Sequence, residues 1–116
     1  MKRREPMDGW HEWLGTYVAG AAHGDFANDL HLLEHGLILT LVREPQNPHD
    51  PQAVRIELNG KKVGYIPSTQ APGINKLIRL GYPVIASVDV VEKPKKLVLI
   101  ELAIRAWGEW FPQPVT

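Results

Sequence analysis

The chain has 116 residues, of which 44% are hydrophobic, and this length and composition fit one domain with a core of its own. It contains no cysteine, which excludes disulfides, thiolate metal sites and a cysteine nucleophile. Thirteen basic and thirteen acidic side chains cancel, which argues against a protein held on DNA by bulk charge alone. No apolar run is long enough for a signal sequence or a membrane span, so we expect a soluble, cytoplasmic protein with no membrane partner.

The first third of the chain predicts one strand and one short helix. We assign residues 1–15 to an N-terminal tail and expect the first strand at residues 16–22. A helix is expected at residues 28–35, because Asn28 suits an N-cap and Gly36 suits the residue after the helix.

The central part predicts one strand on each side of a loop, followed by a return strand. Residues 37–42 are apolar with little alternation, which is typical of a strand buried on both faces. Residues 44–51 hold three prolines and predict an irregular loop. The alternation over residues 54–58 predicts a half-buried strand, and the return strand is expected at residues 62–66. Asn59-Gly60 between them favours a type I′ turn, because both positions of that turn need a positive φ.

The last part predicts a helix and two long strands. The helix begins after Pro67-Ser68 and ends at Gly81. Strands are expected at residues 83–91 and 97–105, joined by a lysine-rich tip. The predicted fold class is mainly β (α+β): a six-stranded, mostly antiparallel small barrel of the oligonucleotide-binding (OB-like) type, with two short helices.

The loop after the second predicted strand is the most informative segment. With the residue before it, the loop reads Arg43-Glu44-Pro45-Gln46-Asn47-Pro48-His49-Asp50. Asn47 and Asp50 can accept hydrogen bonds from the backbone two residues on, and prolines fix φ, so we expect a stiff loop. A stiff loop at the mouth of a barrel presents binding groups: Asp50 can accept from a sugar hydroxyl, and His49 can stack on a base.

Two segments give the chain a family resemblance. This loop, continued by Pro51-Gln52-Ala53-Val54, and the later run Val63-Gly64-Tyr65-Ile66-Pro67 resemble the signature of the HIRAN domain. The resemblance covers roughly residues 16–105, which we take as the domain, with residues 106–116 as a C-terminal tail. It implies a modified OB-like barrel that acts as a nucleic-acid-binding module.

The resemblance also implies which residues bind and what they bind. In the fork-remodelling members of the family, this loop and the strand after the hairpin grip the 3′ end of single-stranded DNA. By this resemblance Asn47 and Asp50 keep the residues of those members, His49 stands where they have Tyr, and Tyr65 stands where they have His. Those members also carry a basic–aromatic pair on the first strand, where this chain has only His23 to take that role. The expected partners are single-stranded DNA or DNA 3′ ends, and a DNA repair or remodelling enzyme.

Nearby basic side chains would neutralise phosphates, namely Arg43, Lys61 and Lys62. The chain has no nucleophile elbow, Walker loop or glycine-rich phosphate cradle. We therefore expect a binding module that is not an enzyme and needs no cofactor.

Two other interpretations stay open. The chain is alternatively a protein-interaction or accessory domain, which docks on a DNA-processing enzyme or self-associates as a weak dimer through its tails. These tails carry four tryptophans: Trp10, Trp13, Trp107 and Trp110. A metal-dependent hydrolase would rest on His31 and His35, which are spaced i, i+4 in the predicted helix.

Overall fold

The computed structural model describes residues 10–92 and 95–105. Its six strands are β1 (Trp10–Tyr17), β2 (Ile38–Arg43), β3 (Val54–Leu58), β4 (Lys61–Tyr65), β5 (Val84–Glu92) and β6 (Leu97–Arg105). One helix, α1 (Ala71–Arg79), follows β4, and two 3-10 turns, Ala21–His23 and Leu30–Leu32, lie between β1 and β2. The strands form one sheet in the order β1-β6-β5-β2-β3-β4, and every neighbouring pair is antiparallel.

The two edges of this sheet meet just after β1. The Ala19 N–H donates to the Tyr65 carbonyl at 2.7 Å, and the Tyr65 N–H donates back to the Ala19 carbonyl at 2.9 Å. The Val18 N–H donates to the Val98 carbonyl at 2.8 Å, so the same segment also stays beside β6. The sheet is therefore a curled half-barrel whose edges touch at one bridge, and the six-stranded, mainly-β fold class is confirmed.

The hydrophobic core lies inside the curl. Its fully buried side chains come from the strands and from the segments that cover the open ends: Leu33, Leu39, Val54, Ile56, Val63, Ile74, Val88, Val98, Ile100 and Leu102. Strand β2 buries Leu39 and Leu41 and exposes Ile38, Thr40 and Val42. The prediction that this strand is buried on both faces is therefore wrong, because one face of the curled sheet is open to solvent.

The first strand differs from its sequence-based bounds. It runs six residues earlier than predicted, so residues 10–15, which the sequence assigned to a tail, pair with β6 from Trp10 opposite Arg105 onward. The predicted continuation to residue 22 is interrupted at Gly20, whose φ of 75° turns the chain into the first 3-10 turn. Apolar composition alone favoured a strand over residues 16–22, but this left-handed backbone ends it.

The first predicted helix is also shorter than expected. Within residues 28–35 only Leu30–Leu32 is helical, as a single 3-10 turn, and its N-cap is Asp29 rather than Asn28. A segment this short gains too few hydrogen bonds to form a stable α-helix. Gly36 does take a left-handed φ of 88°, as its position predicted.

Local turn chemistry is confirmed elsewhere in the chain. Asn59 and Gly60 have φ values of 54° and 81°, as a type I′ hairpin requires. Gly81, which follows the C-cap residue Leu80 of α1, has a φ of 96°, and the Gly81 and Tyr82 amides donate to the Ile78 and Leu77 carbonyls, which satisfies the end of the helix.

Within residues 10–92 and 95–105, no helix is long and apolar enough to cross a membrane. The predictions that concern residues 1–9, Lys93-Pro94 and residues 106–116, including Trp107 and Trp110, lie outside the described residues.

Candidate functional site

The loop between β2 and β3 is stiffened by its own side chains. The Oδ1 atom of Asn47 accepts the His49 N–H at 2.8 Å and the Asp50 N–H at 3.1 Å. Asp50 then accepts the Gln52 N–H on its Oδ1 at 2.9 Å. These contacts have the geometry predicted for the two residues, so both support the backbone of the loop.

Glu44 joins this loop to the outer face of the β3–β4 hairpin. Its Oε1 accepts hydrogen bonds from the Asn47 side-chain amide at 2.9 Å and from the Tyr65 hydroxyl at 3.0 Å. Its Oε2 lies 3.5 Å from Nη1 of Arg55, and Nε of Arg55 forms a 2.7 Å ion pair with Glu57. No sequence pattern assigned a role to Glu44 or Arg55, although both stand at the centre of this network.

This network fixes the protonation of its two main members. Partial burial raises the pKa of Glu44, but the hydrogen bonds from Asn47 and Tyr65 and the charge of Arg55 together outweigh it and lower the pKa below the usual 4.5. Burial and the hydrogen bond to Glu44 raise the pKa of Tyr65 above its usual 10.0. At neutral pH the carboxylate is therefore charged, and the phenol is a neutral donor to it.

An open pocket of about 500 Å³, the Tyr65 pocket, lies against this network. It is lined by Arg43, Glu44, Pro45, Gln46, Asn47, Pro48 and Tyr65. Three predicted binding residues, Arg43, Asn47 and Tyr65, therefore meet at one pocket. His49 is exposed and Asp50 half-buried, and neither is among the residues that line it.

Arg43 is held in place by helix α1. Its Nε donates to Oδ1 of Asn75 at 3.1 Å, and the side-chain amide of Asn75 donates to the Gln52 carbonyl at 3.2 Å. Asn75 is only 6% exposed, so this one buried amide connects the two ends of the loop. The sequence offered no signal for Asn75, because its partners are more than twenty residues away.

Of the remaining predicted binding residues, only Lys62 lies close to Tyr65. Nζ of Lys62 is 5.5 Å from the centre of the Tyr65 ring, a cation–π distance. The backbone of Lys62 is clamped by Asp25, whose Oδ2 accepts the Lys62 N–H at 2.9 Å and whose N–H donates to the Lys62 carbonyl at 2.7 Å. Lys61 and His23 are exposed and do not line the pocket.

The two histidines considered for a metal site do not share a helix. His31 lies in the second 3-10 turn, whereas His35 lies beyond it, with Nδ1 2.9 Å from the Asp89 carbonyl oxygen. In the part of the chain that the structure describes, no three His, Asp or Glu side chains are grouped to hold a metal ion.

The fold and the pocket define a class: a small half-barrel module with a stiff polar loop and an aromatic residue at its open side. A family model of the HIRAN domain matches residues 13–109, and the chain belongs to the HIRAN domain family. This family is generally associated with DNA binding. The family resemblance inferred from the two sequence segments is thus confirmed.

Two solved structures share this fold. A structural genomics crystal structure of a protein from Lactobacillus plantarum has a TM-score of 0.76 and 24% identity, over 84% of this chain and 97% of that chain. The crystal structure of the HIRAN domain of human HLTF has a TM-score of 0.71 and 17% identity, over 89% of this chain and 84% of that chain. In a sequence comparison with curated proteins, none matched.

Proposed function

We propose that this chain is a nucleic-acid-binding module that binds single-stranded DNA in the Tyr65 pocket and has no catalytic activity of its own. One observation carries the proposal: a neutral tyrosine lines the pocket, oriented by Glu44 and accompanied by the ammonium group of Lys62. The association of the HIRAN family with DNA binding supports it.

The pocket offers each kind of contact that a nucleotide needs. An aromatic ring stacks on a base, and this contact tolerates any base sequence. The carboxylate of Glu44 suits a donor of a base edge or a sugar hydroxyl, and the second N–H of the Asn47 amide suits an acceptor. Lys62 and Arg43 supply positive charge for the adjoining phosphates. The charged carboxylate of Glu44 repels a phosphate, so the base or sugar, rather than the phosphate, occupies the pocket.

Recognition of a free 3′ end is the narrower part of the proposal. Asp50 uses Oδ1 for the Gln52 amide, while its other oxygen makes no hydrogen bond within the described residues. That oxygen is the acceptor available to a terminal sugar hydroxyl at the edge of the loop. Oligonucleotides that end in a 3′-hydroxyl or a 3′-phosphate test this point, since equal affinities would remove the end-recognition claim.

Fluorescence anisotropy with a labelled oligo(dT) at low salt tests the binding itself. Tyr65→Leu should weaken binding roughly 5-fold or more, because stacking on one base contributes about 1–3 kcal/mol. Tyr65→Phe keeps the ring and should retain most of the affinity. Arg79→Gln removes an exposed charge at the end of α1 and serves as the control for general charge effects.

Two outcomes would overturn the proposal. The first is that the wild-type protein causes no anisotropy change at low salt. The second is that Tyr65→Leu and Tyr65→Phe bind the oligonucleotide with equal affinity. Incubation of the oligonucleotide with the protein and magnesium should leave it intact, and its cleavage would contradict the non-catalytic part. A light-scattering mass tests the alternative of self-association, which stays a prediction.

A further inference from the structure

A second cleft lies away from the Tyr65 pocket. It has a volume of about 410 Å³ and is lined by Ala27, Asn28, Leu30, His31 and Lys96. Four of these residues belong to the segment that runs from Asp25 to the second 3-10 turn, and the fifth belongs to the tip between β5 and β6. The two clefts have no lining residue in common.

The ionisable groups of this cleft differ from those of the Tyr65 pocket, which is lined by both Arg43 and Glu44. His31 and Lys96 are its ionisable groups, Asn28 adds an amide, and none of the described residues that line it is acidic. The Tyr65 pocket, by contrast, contains the charged carboxylate of Glu44. A cleft with a lysine, a histidine and an amide suits an anion with several acceptor oxygens, such as a phosphate group.

The backbone conformation at Lys96 is unusual for a lysine. Lys96 has a φ of 51° and is one of two non-glycine residues with positive φ within residues 10–92 and 95–105. Glycine or asparagine fits this left-handed conformation at lower cost than lysine does. The turn thus holds a lysine, rather than a residue that suits its backbone, at the position that lines the cleft.

A path of hydrogen bonds and one cation–π contact links the segment beside the second cleft to Tyr65. Asp25, two residues before Ala27, is bonded to both backbone polar groups of Lys62, and Lys62 reaches the ring of Tyr65. With ordinary backbone spacings, this path spans roughly 20–25 Å. Modules of the OB type cover about 4–16 nucleotides of single strand, so one strand is long enough to contact both clefts.

We propose that the His31–Lys96 cleft is a second subsite, which binds a backbone phosphate of the same single strand whose base lies against Tyr65. This inference rests on the proposed function and extends it. The base and the phosphate then bind at different places: the pocket with Tyr65 and Glu44 takes a base or sugar, and the cleft with Lys96 takes a phosphate further along the strand.

The test compares a neutralised cleft with a matched surface change. His31→Gln and Lys96→Gln remove the imidazole and the ammonium group of the cleft, while Lys95→Gln removes the neighbouring lysine, whose side chain is 76% exposed and lies 3.8 Å from Glu92. Binding of oligo(dT) of about 4 and about 15 nucleotides is measured by anisotropy over a range of salt concentrations. Thermal melts of all variants confirm that each is folded.

The expected result depends on the length of the strand. Lys96→Gln combined with His31→Gln should weaken the longer oligonucleotide about 3- to 10-fold, and its salt slope should become shallower by about 0.7 for each phosphate that is no longer neutralised. Binding of the shorter one, and all binding by Lys95→Gln, should change less than about 2-fold.

The outcomes separate the two proposals. If the wild type binds both oligonucleotides and the double variant keeps the wild-type affinity and salt slope, the second subsite is wrong while the Tyr65 pocket stands. An equal loss of affinity for the short and long strands would also overturn the subsite. If the wild type binds neither oligonucleotide, the proposed function fails and the subsite fails with it.

Discussion

The hydroxyl oxygen of Tyr65 lies 3.0 Å from Oε1 of Glu44, although the two residues are 21 positions apart. The β3–β4 hairpin brings them together, since Arg55 is paired with Tyr65 and also approaches Glu44. A register shift between Ile56 and Glu57 sets this pairing. The side chain of Glu44 thus connects the loop, the hairpin and the pocket.

Glu44 should make the free energy of unfolding depend on pH. Its folded-state pKa is lowered, so its contribution is present above the ordinary value of 4.5 and is lost as the pH falls through the folded-state value. Glu44→Gln should lower the free energy of unfolding by about 1 kcal/mol at pH 7, and by less at about pH 3. Urea unfolding at both pH values measures this, with Glu34→Gln at an exposed position as the control. A difference that is the same at both pH values would contradict the assignment.

Asp25 should be needed for the position of Lys62. Asp25→Ala leaves the Lys62 N–H without its acceptor and should lower the free energy of unfolding by about 1–2 kcal/mol. Asp29→Ala removes the same charge from an exposed residue whose side chain makes no capping hydrogen bond, and should change it by less than about 0.5 kcal/mol.

The same pair of variants tests binding. Both variants lose one negative charge, but only Asp25→Ala also loses the acceptor that holds the Lys62 backbone, so Asp25→Ala should bind oligo(dT) more weakly than Asp29→Ala. Equal affinities would show that the clamp on Lys62 does not matter for binding.

Gly64 should tolerate no side chain. A Cβ there would collide with the side chain of Val18 and lie 2.6 Å from the Ala19 carbonyl oxygen. Gly64→Ala should therefore lower the free energy of unfolding by about 2–3 kcal/mol, whereas Gly15→Ala, with nothing within 4 Å of the added atom, should leave it nearly unchanged. Thermal or denaturant unfolding distinguishes the two, and comparable losses of stability would argue against close packing at Gly64.

Two glycines with different backbones should respond to alanine with opposite signs. Gly60 has a φ of 81° in the hairpin turn, so Gly60→Ala should cost about 1 kcal/mol. Gly73 lies in α1 with open space around it, so Gly73→Ala should stabilise by about 0.5–1 kcal/mol. Chemical denaturation measures both, and a destabilised Gly73→Ala would show that the helix needs this glycine.

Features set by neighbouring residues could be predicted from the sequence. The Asn59-Gly60 turn, the strand Val54–Leu58 and the end of α1 at Gly81 follow from φ preferences and alternation within a few residues. The pairing of residues 10–15 with β6 could not, because that contact joins opposite ends of the chain.

In the candidate site, too, contacts between neighbours in sequence could be predicted and contacts between distant residues could not. The internal contacts of Asn47 and Asp50 are local and were predicted. The partnership of Arg55 and Tyr65 was not, because a plain two-residue hairpin would place Arg55 opposite Gly64, and the shifted register places it opposite Tyr65 instead. The assignment of Asn47, His49, Asp50 and Tyr65 to DNA binding stays a prediction.

The bridge between Ala19 and Tyr65 allows amide hydrogen exchange to report on binding in the Tyr65 pocket. Both of its hydrogen bonds involve the backbone of the residue whose ring lines the pocket. When this bridge opens locally, the position of the Tyr65 ring is no longer fixed. A ligand that binds the ring in its closed position therefore opposes the opening. A ligand in the pocket should therefore slow hydrogen exchange at the Ala19 and Tyr65 amides, even where none of its atoms touches Ala19.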